Sequence, residues 1–395
     1  MISPEQRRLL LKDTLEWARE RNYTGWDYSD GMSSSVLDAI PIEHTVINLA
    51  VQESAKRAPI NLRPWLGIPR RRSFKGAGLF VQANLGAYEA TGNEMYLREA
   101  TRLSRWLTAT CRESPFGWGH NHDLETLDGT IPRNTPAIVS TAYIVRSLLA
   151  LSAHEQLPFA AHLPDRVESL VTEHLSYEPC ADGARMHYWA NHPEPYYVIN
   201  ANALGAQMLV ELASAFDRPE LETLAEPVFD YVAACQTDRG GWYYADPADA
   251  SHLSMDNHHN GFILEAFMRY QELVGTSRYD DVLDQGLAFY ERELFESDGA
   301  PRWDETKAYP RDIHAAAQGI ITFTIANRSN LADRILAWTI DHLYAGNGRF
   351  WYRKDRFSTR RITLMRWAQA WMAVAIATTL GFTAKPPQAM LSIPA

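Results

Sequence analysis

Two kinds of apolar pattern alternate along the chain. Segments 74–88, 135–151, 199–213, 262–273, 313–326 and 364–380 are rich in small and apolar residues on nearly every face. Segments 4–21, 95–112, 164–174, 219–236, 279–295 and 330–344 carry an apolar stripe at helical spacing and charges elsewhere. The first pattern suits helices buried all round, and the second suits helices that bury one side only. Within each set, starts recur at intervals of roughly 50–65 residues, a period typical of stacked helical hairpins. Runs with the two-residue alternation of strands are scarce. The pattern predicts an all-α fold, an (α/α)6 toroid of six inner and six outer helices.

The connections reinforce this reading. Each link from an outer to the next inner helix is long and carries Gly and Trp, as in ESPFGWGHNHDLETLDGTIPRN, QTDRGGWYYADPADASHLSMDNHH and FESDGAPRWDETKAYPRDIH. Loops longer than about 12–15 residues are usually functional. In a closed toroid all of them open on one end, so the site is expected there. No Pro/Ser-rich linker divides the chain, and a single domain spanning residues 1–395 is expected.

Composition narrows the function. The chain has 395 residues, 46% of them hydrophobic, enough for a sizeable core. A net charge of -10 speaks against nucleic acid as a partner. Cys111, Cys180 and Cys235 are odd in number and far apart, so neither a disulfide framework nor a Cys-x-x-Cys metal pair is expected. The N-terminus is a charged amphipathic helix with no signal-peptide core, and the apolar run 367–380 is too short to span a bilayer. A cytoplasmic protein without a transmembrane segment is expected. Many of the 12 Trp, 18 Tyr and 14 Phe sit in Gly- and Pro-bearing loops, which suits sugar rings or apolar ligands.

Each loop also delivers polar groups. Asp256 and Asp312 are followed two residues later by His258 and His314, and His259 lies alongside. Both pairs precede an inner helix, whose N-terminal dipole favours anions. A carboxylate beside an imidazole can work as an acid/base couple, and two opposed carboxyls suit glycoside hydrolysis. Capping of the helix is the plain alternative role for each Asp. Tyr197 and Tyr309 are alternative proton donors. Trp118, Trp242, Trp303 and Trp351 are expected to stack on sugar rings, and Trp26 to contact the substrate. Asp27, His120, Asp123, Asn200 and Asn202 are expected to contact hydroxyls, and Arg63, Lys75, Arg311 and Arg360 to hold an anionic group. No Gly-rich phosphate loop and no HExxH zinc pair appears, and no metal or cofactor is expected.

Gln236 to Trp242 fits Gln-x-x-x-Gly-x-Trp, a motif that resembles the repeat of squalene and terpene cyclases. The acidic protonating and diphosphate-binding motifs of those enzymes are missing, so the match signals architecture. A second resemblance covers most of the chain. The phrases GWDYSDGMSSS, IPRNTPAIVSTAYIV, YYVINANALGAQMLVELA, MDNHHNGFILEAF and YPRDIHAAAQGIITF resemble toroid proteins of archaeal and bacterial glycan-assembly loci, in haloarchaeal N-glycosylation and exopolysaccharide biosynthesis. That family is similar in architecture to (α/α)6 glycoside hydrolases, uronate lyases and uronyl epimerases. In this chain the family's Phe-His-Thr-Gly segment reads His258-His259-Asn260-Gly261, which keeps His259 and replaces the Thr.

The resemblance implies work on an oligosaccharide or polysaccharide, free or lipid-linked, beside glycosyltransferase partners. Hydrolysis of a uronate-bearing glycan is the leading expectation, with Asp256 and Asp312 as acid/base residues and His259 and His314 orienting them. C5-epimerisation or elimination of a uronate, a non-catalytic glycan-binding scaffold and a terpene or prenyl enzyme are the alternatives.

Overall fold

The computed structural model describes residues 2–40 and 44–387. Its inner helices are Phe74–Thr91, Ile138–Ser152, Ile199–Phe216, Asn257–Val274, Ile313–Ile325 and a last one that begins as a π turn at Met365–Ala370 and continues as Trp371–Thr378. Each packs on the next and the sixth packs back on the first, so the ring is closed. The outer layer is Pro4–Glu20, Glu94–Ala109, Leu163–Ser169 with a π turn at Leu170–His174, Pro219–Ala234, Asp280–Leu294 and Ser329–Leu343. The (α/α)6 toroid read from the sequence is the fold found. No described helix is long and apolar enough to cross a membrane.

The inner helices are buried along almost their whole length, as small-residue packing requires, and together they form a continuous apolar core. Gly205 shows how tightly they pack, since a Cβ there would lie 2.2 Å from Ile138 Cδ1. The outer helices bury one stripe each. On Glu94–Ala109 that stripe is Tyr96, Leu97, Ala100, Leu103 and Leu107.

The loops are fastened by a repeated device. Near the start of an inner helix, a side-chain amide clamps the backbone of the loop that precedes it. Asn202 accepts from Met186 N and donates to Met186 O, and Asn260 does the same to Trp242 N and O. Gln369 spans Phe350 N and Gly348 O. The Gln-x-x-x-Gly-x-Trp motif is part of this fastening. Gln236 Nε2 donates to Gly240 O at 2.8 Å and to Val282 O at 2.9 Å, tying one outer helix to the next. Gly240 has φ +94°, and a Cβ there would lie 2.5 Å from Gln285 O, so only glycine fits.

Three features depart from the sequence reading. The fourth inner helix begins at Asn257 rather than 262, because Asp256 caps it. A helix at Thr45–Arg57, unforeseen because its apolar stripe is thin, lies over the active end. The long loops contain short hairpins, such as Glu178–Cys180 with Gly183–Arg185 and Arg353–Lys354 with Thr359–Arg360. These strands of two or three residues are too short to leave an alternating pattern.

Candidate active site

A cavity of about 530 Å³ opens at the end of the barrel where the long loops gather. Of the sequence candidates, Lys75, His120, Asn200, Asp256, His259, Trp303, Tyr309 and His314 line it. They come from five different inner-helix starts or the loops before them, which only a closed ring can bring together.

The fourth inner helix supplies the centre. Asp256 is its N-cap and accepts from His259 N at 3.4 Å. The first helical turn carries His258 and His259 back over that same carboxylate. His259 Nδ1 lies 2.7 Å from Asp256 Oδ2, and His258 Nδ1 lies 3.2 Å from Oδ1. A carboxylate only accepts, so His259 donates to it through Nδ1, and Nε2 is the ring nitrogen that Asp256 does not engage. The capping role and the acid/base geometry therefore coexist in one residue.

The rings continue as a stack. His258 and His259 centroids are 3.9 Å apart, His258 and His314 are 4.6 Å apart, and His314 lies 4.4 Å from Trp371. Tyr28 stacks on Trp367 at 4.1 Å. Burial pushes the His258 ring down to about 3, helped by its neighbour His259. Burial also holds His120 and His314 well below the ordinary imidazole value. These rings are neutral at pH 7. Burial alone would raise the Asp256 carboxyl, but His259 and His258 outweigh it and keep the group ionised. Both ring nitrogens of His314 are buried, and neither has a hydrogen-bond partner among the described residues.

The wall is strongly basic. Lys56, Arg57, Lys75, Lys307, Arg353 and Arg366 line the cavity against one carboxylate, Asp256. Lys56 lies 4.8 Å over the Tyr28 ring. Arg366 is held by Asp27 through two contacts of 2.7 Å, so Asp27 acts behind the wall rather than on a ligand.

Other candidates lie elsewhere. Asp312 sits behind the wall. Its Oδ1 accepts from Trp367 Nε1 and His314 N, both at 2.8 Å, and burial raises the group to about 6. It is absent from the cavity lining, where Asp256 is the one carboxylate. Trp118 and Trp242 are core residues, about 1% exposed, whose indole N–H groups donate to Leu107 O and Val232 O. Trp26 donates to Ile68 O and lies under Arg70. Trp351 lies beside Arg361, away from the cavity lining. None of these four is placed to stack on a ligand there.

Tyr197 donates to Glu178 at 2.6 Å, outside the lining. Arg63 is buried on Asp30 at 2.8 Å and braces the N-terminal segment. Asp123 accepts from Arg133 N, and Asn202 is the clamp described above. Arg311 lies over the Tyr309 ring, and Arg360 pairs with Asp355.

Tyr28, Lys56, Tyr244, Arg366 and Trp367 also line the cavity and were not among the residues the sequence pointed to, whereas Tyr188, His258 and Arg353 lie in the loops expected to form it. Arg366 and Trp367 were hidden in an apolar helix. Their signal was an arginine inside an inner-helix pattern, where an unpaired charge is costly.

The donor atoms of Asp256, His258 and His259 lie within 4.8 Å of one another, so these three could approach one cation. Both carboxylate oxygens already face ring Nδ1 atoms, which fits a proton relay better.

The chain matches no family model and no curated protein in sequence. Its fold is similar to solved structures. Cellobiose 2-epimerase from Bacillus thermoamylovorans aligns with TM-score 0.63 at 10% identity, over 80% of this chain and 90% of that one. Unsaturated glucuronyl hydrolase from Bacillus sp. GL1 aligns with TM-score 0.61 at 12% identity, over 97% and 99%. A polysaccharide lyase aligns with TM-score 0.56 at 11% identity, over 79% and 91%. At such identities the likeness is one of fold.

Proposed function

We propose that this protein is a carbohydrate-active enzyme that moves a proton at a sugar carbon beside a carbonyl or carboxylate, on an anionic glycan. Epimerisation or β-elimination is the reaction class. The observation that carries the reading is the Asp256–His259 pair, with His258 and His314 stacked beside it, in a cavity whose other ionised side chains are all basic. A neutral imidazole oriented by a carboxylate is a competent base near pH 7. The cations Lys56, Arg57 and Arg353 suit a uronate carboxylate, and their field stabilises the enolate that forms when the neighbouring carbon loses its proton. Tyr309, which lines the same cavity, then returns a proton. Trp303 supplies an aromatic face for a sugar ring.

Fold likeness to an epimerase, a hydrolase and a lyase supports the substrate class. Two-carboxylate hydrolysis has less support, because Asp312 lies behind Trp367. A hydrocarbon-cyclising site has less still, given the charged wall.

The test is NMR of the protein in D2O with a panel of uronate and neutral reducing oligosaccharides. Deuterium entering carbon without chain cleavage, or a new unsaturated end, supports the reading. A new reducing end without exchange contradicts it in favour of hydrolysis. Saturable binding without turnover contradicts it in favour of a scaffold.

A further inference from the structure

Lys75 stands apart from the other cations of the cavity. It is the second residue of the first inner helix, it is 7% exposed, and it lines the floor. Lys56, Arg57, Lys307, Arg353 and Arg366 each have a carboxylate within salt-bridge distance. Lys75 has no such contact and no hydrogen-bond partner among the described residues. The carboxylate that acts on it from a distance is Asp27, and both oxygens of Asp27 are taken by Arg366. The other groups that bear on it are the Arg366 guanidinium and the rings of His120, His258 and His314. Tyr143, whose ring centroid is 5.9 Å from Nζ, lies beneath it. An ammonium so placed is desolvated and faces a neighbouring cation with no counter-ion of its own.

We propose that Lys75 is a nucleophilic amine that forms an imine with the open-chain carbonyl of a reducing sugar. Burial and the Arg366 charge hold the amine well below its ordinary value, which favours the free lone pair that an imine-forming amine needs. The Nζ lone pair adds to the aldehyde carbon, the carbonyl oxygen leaves as water, and a C=N bond remains. Protonation of that nitrogen makes the adjacent C–H acidic. The C–H electron pair moves toward nitrogen as a neutral imidazole takes the proton. Return of the proton and addition of water release the sugar and restore the amine. This deepens the reading above, since it supplies the electron sink that the proton transfer needs.

The experiment needs no knowledge of the natural glycan. The wild-type protein is treated at pH 7 with glycolaldehyde and sodium cyanoborohydride, and the rate of alkylation at each lysine is read by peptide mass mapping. Lys75 is expected to react at least tenfold faster than the surface residues Lys12 and Lys385. Prior incubation with a competing reducing sugar should slow Lys75 alone. Alkylation of Lys75 at or below the rate of Lys12 overturns the proposal. Because the probe is a small aldehyde, that result leaves the histidine-based proton transfer standing, and loss of proton exchange with Lys75 still reactive would sink only the reading above.

Discussion

Arg366 of the last inner helix grips Asp27 of the N-terminal segment through two contacts of 2.7 Å, both residues being buried. The pair joins the end of the ring to its beginning and presents the guanidinium to the cavity. Removing one partner strands the other charge. Asp27→Ala is expected to lower stability by about 3–5 kcal/mol in urea unfolding, a larger loss than for an exposed pair. Burial opposes ionisation of Asp27, but Arg366 overcomes it and holds the carboxyl well below its ordinary value. A depressed carboxyl stabilises the fold above its unfolded pKa, and the gain is lost as pH falls through the folded value. The gap between wild type and Asp27→Asn should therefore persist at pH 5 and close only in strong acid.

Asp312 has the opposite sign. Burial raises it to about 6, and its Oδ2 has no hydrogen-bond partner among the described residues. The folded state prefers the protonated form, so the wild type gains stability as pH falls from above 6 toward the ordinary carboxylate value. Asp312→Asn keeps an acceptor for Trp367 and removes the titration. The variant is expected to be more stable than wild type at pH 7.5 by roughly 1–3 kcal/mol, with the difference shrinking by pH 5. Denaturant melts at both pH values give the answer, and a variant weaker at pH 7.5 would contradict it.

His314 carries two buried ring nitrogens with no hydrogen-bond partner among the described residues, and its ring lies against Trp371 and His258. A polar group so held weakens the fold unless it works on a ligand. His314→Leu is expected to match or exceed wild-type stability by about 1–2 kcal/mol while turnover falls by about 10²–10⁴. Full turnover with lost stability would assign the ring to packing.

Trp242 and Trp303 separate core from cavity. Trp242→Ala opens a void under the outer helix and should reduce stability by about 3–5 kcal/mol. Trp303→Ala should leave stability nearly unchanged and raise KM, since its ring lines the cavity. Thermal melts beside steady-state kinetics on the same preparations decide between the two roles.

The twelve-helix ring was legible because inner and outer helices bury different fractions of their surface, and that difference is written in residue size and charge. Within the loops, residue type alone misled. Trp118 and Trp242 look like sugar platforms, yet each directly follows a glycine and turns its indole N–H back to its own outer helix. The same geometry that makes the loop fold consumes the indole. Asp256 and Asp312 share an Asp-x-His spacing, but their inner helices start differently. Asp256 is bound by side chains that face the opening, and Asp312 by the indole of Trp367. No spacing rule distinguishes them. Arg366 and Trp367 were unreadable because they belong to a helix that is otherwise core.

The central claim is that Asp256 and His259 move a proton on carbon, and solvent exchange tests it most directly. Deuterium incorporation into a uronate or reducing sugar in D2O is measured for wild type, Asp256→Asn, His259→Gln and Asp312→Asn. The account predicts exchange in wild type, a fall of about 10²-fold or more in the first two variants, and near-wild-type exchange in the third. Full exchange in Asp256→Asn, or cleavage without deuterium in the product, would contradict it.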